Sequence, residues 1–176
     1  MQKKKNCHFC GAELKRKYID GIQRLFCSFC KTPIYENPIP ATCVVVLDKD
    51  NRLILVKRSV EPKRGMWCLP GGFMELFESP ERAALRELKE ETNLTGEIDL
   101  LLGVRANANP VYGTVLVIGY LIKNFSGDMS PGDDASDIDF FVYDKSMPEA
   151  AFDSHDYFIR TVFNNMPLLQ QKKELL

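Results

Sequence analysis

The chain shows almost no excess of either charge: 23 Lys and Arg stand against 24 Asp and Glu among 176 residues, a formal net charge of −1. Without a field of one sign, no nucleic-acid partner is expected of the molecule as a whole. Near-zero net charge with ordinary hydrophobicity also excludes a disordered chain. No apolar run approaches the roughly 20 residues that span a bilayer, so no membrane partner is expected. The opening Met1–Cys7 brings lysines but no apolar segment behind them, and no secretion signal is read there. Internal repeats and low-complexity stretches are missing too. These absences leave a soluble globular protein, expected in the cytoplasm. With 45% apolar and 27% charged residues, a chain of this length buries about 70% of its unfolded surface. That is enough for one domain and a small extra module.

The cysteines mark out the module. Cys7-His8-Phe9-Cys10 and Cys27-Ser28-Phe29-Cys30 are two C-x2-C pairs separated by the sixteen residues 11 to 26. This is the spacing of a four-thiolate zinc site, in which two tight knuckles face one tetrahedral cation. Gly11 follows the first pair, where a knuckle needs positive φ; Lys31 follows the second. Residues 13–26 between the pairs read as a small hairpin. Two disulfides or free thiols are the alternative reading of the same residues. His8 is a bystander if four thiolates bind, and Cys43 and Cys68, in apolar contexts, read as buried core thiols. Residues 1–34 are too few for a core of their own, so a structural zinc ion would have to hold them together. Residues 35–40, with Pro38 and Pro40, read as an extended linker, and a second domain occupies 41–176.

In that domain the β-branched run Ala41–Leu47 reads as a buried strand. A turn over Asp48–Asn51 should return residues 52–58 as its hairpin partner. A short apolar segment, Met66–Leu69, ends at the breaker Pro70-Gly71-Gly72. Ser79-Pro80 has the form of a helix start, N-cap serine followed by N1 proline. The helix should end at Thr92, with Asn93 in the left-handed cap. Further strands are expected over 98–104, 114–123 and 137–142, and a helix over 155–166 ended by Pro167. The order β-β-β-α-β-β-β-α implies a mixed sheet with helices packed on it, an α/β (α+β) domain.

The helix of residues 80–92 turns Ala84, Leu85, Leu88 and Thr92 to the core. Glu87, Glu90 and Glu91 share the neighbouring face, although like charges one turn apart destabilise a helix. Three converging carboxylates make sense around a hard divalent cation such as Mg²⁺ or Mn²⁺; an ordinary charged face is the alternative. Arg86 is placed to pair with Glu90 at i+4 or with Glu78 in the preceding loop.

These residues do not stand alone. Gly72, five residues, Glu78, seven residues, Arg86-Glu87-Leu88, Glu90-Glu91 and Leu94 closely resemble the signature of the Nudix hydrolases, G-x5-E-x7-R-E-U-x-E-E-x-G-U with U aliphatic. Eight of the nine specified positions match, and Asn93 stands where the family has glycine. Asparagine tolerates the same left-handed backbone. The four-cysteine module followed by Tyr35-x-Asn37-Pro38 is similar to the zinc-ribbon branch of that family. The resemblance implies a zinc ribbon preceding a Nudix α/β/α sandwich with a mixed sheet. It also implies hydrolysis of a phosphoanhydride in a nucleoside diphosphate linked to another group.

On the resemblance, Glu87 and Glu91 are the principal metal ligands, Glu90 a third, and the Gly72 carbonyl a contributor. Arg86 and Glu78 orient them. Asp137 is the candidate general base, with Glu75 behind it. Arg58, Pro110 and Tyr112 are assigned to substrate binding. NADH-specific members resemble one another in an S-Q-P-W-P-F-P-x-S stretch after the signature; here the region reads Arg105–Gly113, which disfavours NADH. Pro110 resembles a marker of ADP-ribose-type members and Tyr112 one of diadenosine-polyphosphate members. The wider similarity points to ADP-ribose or an FAD-like dinucleotide, with Tyr112, Phe73 and Phe77 available to stack on a base. Two other readings stay open. One is a Nudix-like domain that senses a nucleotide without cleaving it. The other is an RNA-binding or decapping enzyme using the ribbon, where Lys3–Lys5 and Lys15–Lys17 cluster with Phe9 and Phe29. A homodimer fits the habits of similar enzymes.

Overall fold

Val44, Val45 and Val46 are all fully buried, which a strand achieves only when both of its faces are covered. The structure, a computed structural model describing residues 4–166, shows how. The chain divides into two compact units: residues up to Pro38 with Ala108–Thr114, and Ile39–Asn107 with the chain from Val115 on.

In the first unit, β1 (Leu14–Ile19), β2 (Ile22–Cys27) and β3 (Thr32–Ile34) form an antiparallel sheet in that order. Asp20 and Gly21 join β1 to β2 with φ of 51° and 76°. Two consecutive left-handed residues match the right-handed twist of a hairpin. The buried core of this sheet is Cys7, Cys27 and Ile34. So small a core cannot offset the entropy of ordering the chain without a staple.

The second unit runs β4 (Ile39–Val46), β5 (Leu53–Arg58), β6 (Trp67–Cys68), α1 (Pro80–Thr92), β7 (Thr95–Asn109), β8 (Gly113–Ser126), β9 (Ala135–Phe141) and α2 (Asp153–Asn164). This is the element order expected from the sequence. Two three-stranded sheets result, β4-β8-β7 and β6-β5-β9; β4 pairs parallel with β8, and β5 pairs antiparallel with β6 and β9. Successive side chains of a strand point to opposite faces. Cys43, Val45 and Leu47 of β4, with Leu53 and Leu55 of β5, pack with Phe158, Ile159 and Val162 of α2. Val44, Val46 and Ile54 pack with Ala84 and Leu88 of α1. One helix therefore covers each face, an α/β/α sandwich. Gly119 on β8 makes room for α2, since a Cβ there would stand 2.6 Å from the Phe158 ring.

The expected hairpin of residues 41–47 and 52–58 does not form. The two strands lie in different sheets and share only the bridge Leu47↔Leu53. Asp48 sets the turn, accepting the N–H groups of Asp50 and Arg52 and pairing with the Arg52 guanidinium. Each strand then finds its ladder partners elsewhere, β8 for β4 and β6 with β9 for β5. β4 begins at Ile39 and α2 at Asp153, both two residues before the expected starts. β7 and β8 are longer than expected: β7 starts at Thr95 and continues through Arg105 to Asn109, and β8 runs on to Ser126. Lys3 and Pro167 lie outside the described residues. Among the described residues no helix is long and apolar enough to cross a membrane.

α1 has the ends read from its sequence. Ser79 Oγ accepts the Arg82 N–H at 3.3 Å, and Asn93 takes φ 57°. The asparagine side chain adds what glycine cannot. Its Oδ1 accepts Lys89 Nζ at 2.7 Å and its Nδ2 donates to the Asp128 carbonyl at 2.9 Å.

Buried in α2, His155 accepts the Leu69 N–H on Nδ1 at 3.1 Å. Burial, helped by the Arg58 charge, lowers its pKa to about 3. A depressed histidine stabilises the fold above its unfolded pKa of about 6.5, and that contribution is lost as pH falls toward 3. Urea unfolding of the wild type should weaken across this window by up to ~1.4 kcal/mol per pH unit more steeply than unfolding of His155→Gln. Parallel pH profiles for the two proteins would show that His155 does not carry the acid sensitivity.

Candidate active site

The candidate site is built on α1 and the segment before it. Residues 70–72 run along β4, with Val44 N–H donating to the Pro70 carbonyl and Thr42 N–H to the Gly72 carbonyl, both at 2.9 Å. The approach leaves no room for side chains. A Cβ on Gly71 would stand 2.2 Å from the Thr42 carbonyl oxygen, and one on Gly72 2.5 Å from Glu87 Oε1. Gly71 N–H then donates to Glu91 Oε2 at 2.9 Å.

Arg86 binds the loop to the helix. Its Nε and Nη2 donate to the two oxygens of Glu78 at 3.2 and 2.8 Å. Nη1 donates to Glu87 and Glu90, both at 2.8 Å, and Nη2 also to the Phe73 carbonyl at 3.0 Å. The two pairings read as alternatives in the sequence, with Glu90 and with Glu78, are both made. A guanidinium has five N–H donors, and here each has an acceptor. These acceptors push its pKa up, Glu78 first among them.

Glu87 and Glu91 are buried carboxylates, while Glu90 is exposed. Burial raises the Glu87 pKa against the pull of Arg86. Burial raises Glu91 to about 8, against the Gly71 N–H. A buried acid with one backbone donor, the Arg58 charge nearby and no ion pair among the described residues is the kind of carboxylate found at functional sites.

These groups line a cleft of about 660 Å³. Arg58, Gly72, Arg86, Glu87, Glu90 and Glu91 line it, all of them residues singled out in the sequence, and so do Phe73 and Glu75. Arg58 Nε donates to the Pro62 carbonyl at 2.7 Å, and the guanidinium lies over the Phe152 ring. Asp137 does not line the cleft. It sits on β9 opposite Lys57, exposed, with its carboxylate accepting the Ile138 N–H. Asp133 and Asp134 line the cleft instead. Gly132 brings them there: its N–H donates to the Glu91 carbonyl at 3.1 Å, and a Cβ would stand 2.4 Å from the Glu90 carbonyl oxygen. The acidic pair after a glycine was visible in the sequence, but its approach to the C-terminal turn of α1 was not. Pro110 and Tyr112 belong to the first unit and lie in the turn after β7, where Asn109 Oδ1 accepts the N–H groups of Val111 and Tyr112.

In the first unit the four Sγ atoms of Cys7, Cys10, Cys27 and Cys30 lie within 4.8 Å of one another. Cys7–Cys30 and Cys10–Cys27 are 4.0 and 3.6 Å apart, far beyond a disulfide bond of about 2.05 Å. They match the edges of a tetrahedron built on Zn–S bonds of about 2.3 Å. Gly11 and Lys31 have φ of 74° and 54°, so both knuckles turn alike. Cys30 N–H donates to Cys27 Sγ at 3.3 Å and draws that thiol down to about 7. His8 lies tilted against the Phe9 ring and is not among the clustered ligands.

A NUDIX domain model matches residues 37–162. The chain belongs to the Nudix family. This Nudix hydrolase is 38% identical over 131 residues to the ADP-ribose pyrophosphatase of Methanocaldococcus jannaschii, covering 74% of this chain and 76% of that one. It is 27% identical over 147 residues to the NAD-capped RNA hydrolase NudC of Vibrio atlanticus, covering 82% of this chain and 51% of the relative. Among solved structures, a NUDIX hydrolase from Nitrosomonas europaea superposes with a TM-score of 0.75 at 28% identity, covering 92% of each chain. The Nudix chain is a pyrophosphohydrolase.

The raised Glu91 pKa gives a signed expectation for the metal-free protein. A carboxyl raised in the fold stabilises it fully below the unfolded pKa of about 4.3, and that contribution is lost as pH climbs through about 8. Metal-free Glu91→Gln should therefore be more stable than wild type at pH 8, by ~1–3 kcal/mol, with the gap closing near pH 5. Equal stability of the two proteins at pH 8 would mean that Glu91 is not strained.

Proposed function

We propose that this Nudix hydrolase cleaves the phosphoanhydride of ADP-ribose or of an FAD-like dinucleotide, using Mg²⁺ or Mn²⁺ held by Glu87, Glu90 and Glu91. The carrying observation is the charge of the cleft. Six carboxylates, Glu75, Glu87, Glu90, Glu91, Asp133 and Asp134, line it with two guanidiniums, Arg58 and Arg86. A bare diphosphate would be repelled from such a wall. Hard oxygen donors around a buried Glu91 that makes no ion pair among the described residues fit a divalent metal. The Gly72 carbonyl, which accepts one N–H, retains a lone pair for the same ion. Bound divalent cations neutralise the diphosphate and acidify the attacking water.

The chain's own residues do the rest. Arg86 and Glu78 hold the carboxylates in place. Arg58 is the cation left to meet a phosphate, because every N–H of Arg86 is engaged. Glu75 and Asp134 are the carboxylates in the cleft proposed to take the proton of the water. Water attacks one phosphorus, the P–O bond of the anhydride breaks, and ADP-ribose yields AMP and ribose 5-phosphate. The Methanocaldococcus relative, 38% identical over most of both chains, supports ADP-ribose over other diphosphates. We also assign a structural zinc ion to Cys7, Cys10, Cys27 and Cys30. Thiolate ligands stay reduced in the cytoplasm, which is where this reading places the protein.

A panel of ADP-ribose, FAD, NADH, diadenosine polyphosphates and nucleoside triphosphates tests the reading, with mass spectrometry to locate the cut. Cleavage of ADP-ribose or FAD should require Mg²⁺ or Mn²⁺ and fall at least ~100-fold in Glu91→Gln. Binding without turnover of any compound would replace the hydrolase with a nucleotide sensor.

Metal analysis tests the ribbon separately. One zinc per chain is expected, lost in Cys30→Ser. A metal-free wild type with an intact first unit would overturn the assignment.

A further inference from the structure

The loop from Phe73 to Glu78 is held at both ends. Met74 N–H donates to the Pro40 carbonyl at 3.2 Å, and Phe73 bridges Ala41. Arg86 holds the Phe73 carbonyl and both oxygens of Glu78, and Glu78 Oε1 accepts the Glu75 N–H at 2.6 Å. The first half of this loop, Phe73–Glu75, lines the cleft. Its second half carries two apolar side chains in open solvent: Leu76 is 86% exposed and Phe77 100%. Phe77 also has φ 70°, a left-handed backbone that is a real outlier for a bulky residue and free of steric cost only for glycine.

Phe77 thus bears two costs that nothing among the described residues returns. Its ring contributes nothing to the core, and its backbone occupies a strained region while both flanks are tied down. Strain that survives beside a binding site is a pointer to use. The adjoining cleft is proposed to hold a diphosphate that carries a planar heteroaromatic ring. A solvent-facing phenyl two residues past Glu75 of the cleft lining, on a loop tied at both ends, is suited to receive that ring by stacking, which is tolerant of base identity.

We infer that Phe77 is a specificity-determining residue: its ring stacks on the planar ring of the substrate whose diphosphate lies at Glu87, Glu90 and Glu91. The inference rests on the hydrolase reading above. Two rings are possible partners, the adenine common to ADP-ribose and FAD, and the isoalloxazine that FAD alone carries.

The test is steady-state kinetics of Phe77→Gly and Phe77→Trp on ADP-ribose and FAD, with melting temperatures of each protein. Phe77→Gly should melt no lower than wild type, because glycine accepts φ 70°. Its KM should rise about tenfold, with kcat changed less than twofold. Phe77→Trp should restore KM. A rise with both substrates places the ring on adenine; a rise with FAD alone places it on the flavin. Tyr18→Ala, which removes an exposed ring on β1, should leave KM unchanged. An unchanged KM in Phe77→Gly overturns the inference and leaves the hydrolase standing. A lower melting temperature would mean that the ring serves the fold, and overturns it too. A wild type that turns over neither substrate overturns the hydrolase reading, and the inference with it.

Discussion

All five N–H groups of Arg86 are engaged, by Glu78, Glu87, Glu90 and the Phe73 carbonyl. One planar cation thereby closes a loop onto a helix and holds three carboxylates whose mutual repulsion would otherwise splay them. Lysine could not replace it, because a compact ammonium has three donors and no fixed fork. On the proposed reading, saturation divides the labour: a guanidinium with no donor to spare organises the wall of the cleft, and contact with an incoming anion falls to Arg58.

Backbone proximity is the second constraint. Gly71 lets the chain approach β4, Gly72 leaves space for the Glu87 carboxylate, and Gly132 lets the Asp133–Asp134 loop meet the end of α1. At each position a single Cβ would displace a neighbour that the site needs. The acidic helix alone therefore does not make the cleft. Three close approaches convert a charged helix face into a walled site, and each runs through a glycine whose value lies in what it omits.

What could be read from the sequence was local. Ser79, Pro80 and Asn93 mark the ends of α1 through bonds made within four residues, and the cysteine knuckles turn within their own span. Glu87, Glu90 and Glu91 fall on one face by helical geometry alone. What could not be read was long-range. A turn at Asp48–Arg52 looks the same whether its flanks pair with each other or diverge into two sheets; β8 and β9, more than 60 residues downstream, decide the matter. Asp133 and Asp134 join the cleft through the packing of Gly132 and the bonds from Ser59 to the Asp134 carbonyl, both long-range. Asp137, nearby in sequence, is carried away by the β9 register. The run from Arg105 to Asn109 looked like loop because it holds no large apolar residue, yet pairing in a sheet extends β7 through it.

The two units meet the same difficulty with opposite chemistries. In the first, three buried residues are too small a core, and four clustered sulfurs supply what apolar area does not. The second has ample core on both faces of β4 and β5, and spends part of that stability on keeping Glu87 and Glu91 out of water. Soft thiolates favour zinc, whereas carboxylate oxygens favour Mg²⁺ or Mn²⁺. One chain can therefore sort two cations by donor type alone. Exchange of the two ligand sets would fail on folding grounds as well as on selectivity. The small unit has no surplus stability with which to bury carboxylates, and the ion proposed for the cleft is a labile hard one that a closed thiolate site would not release.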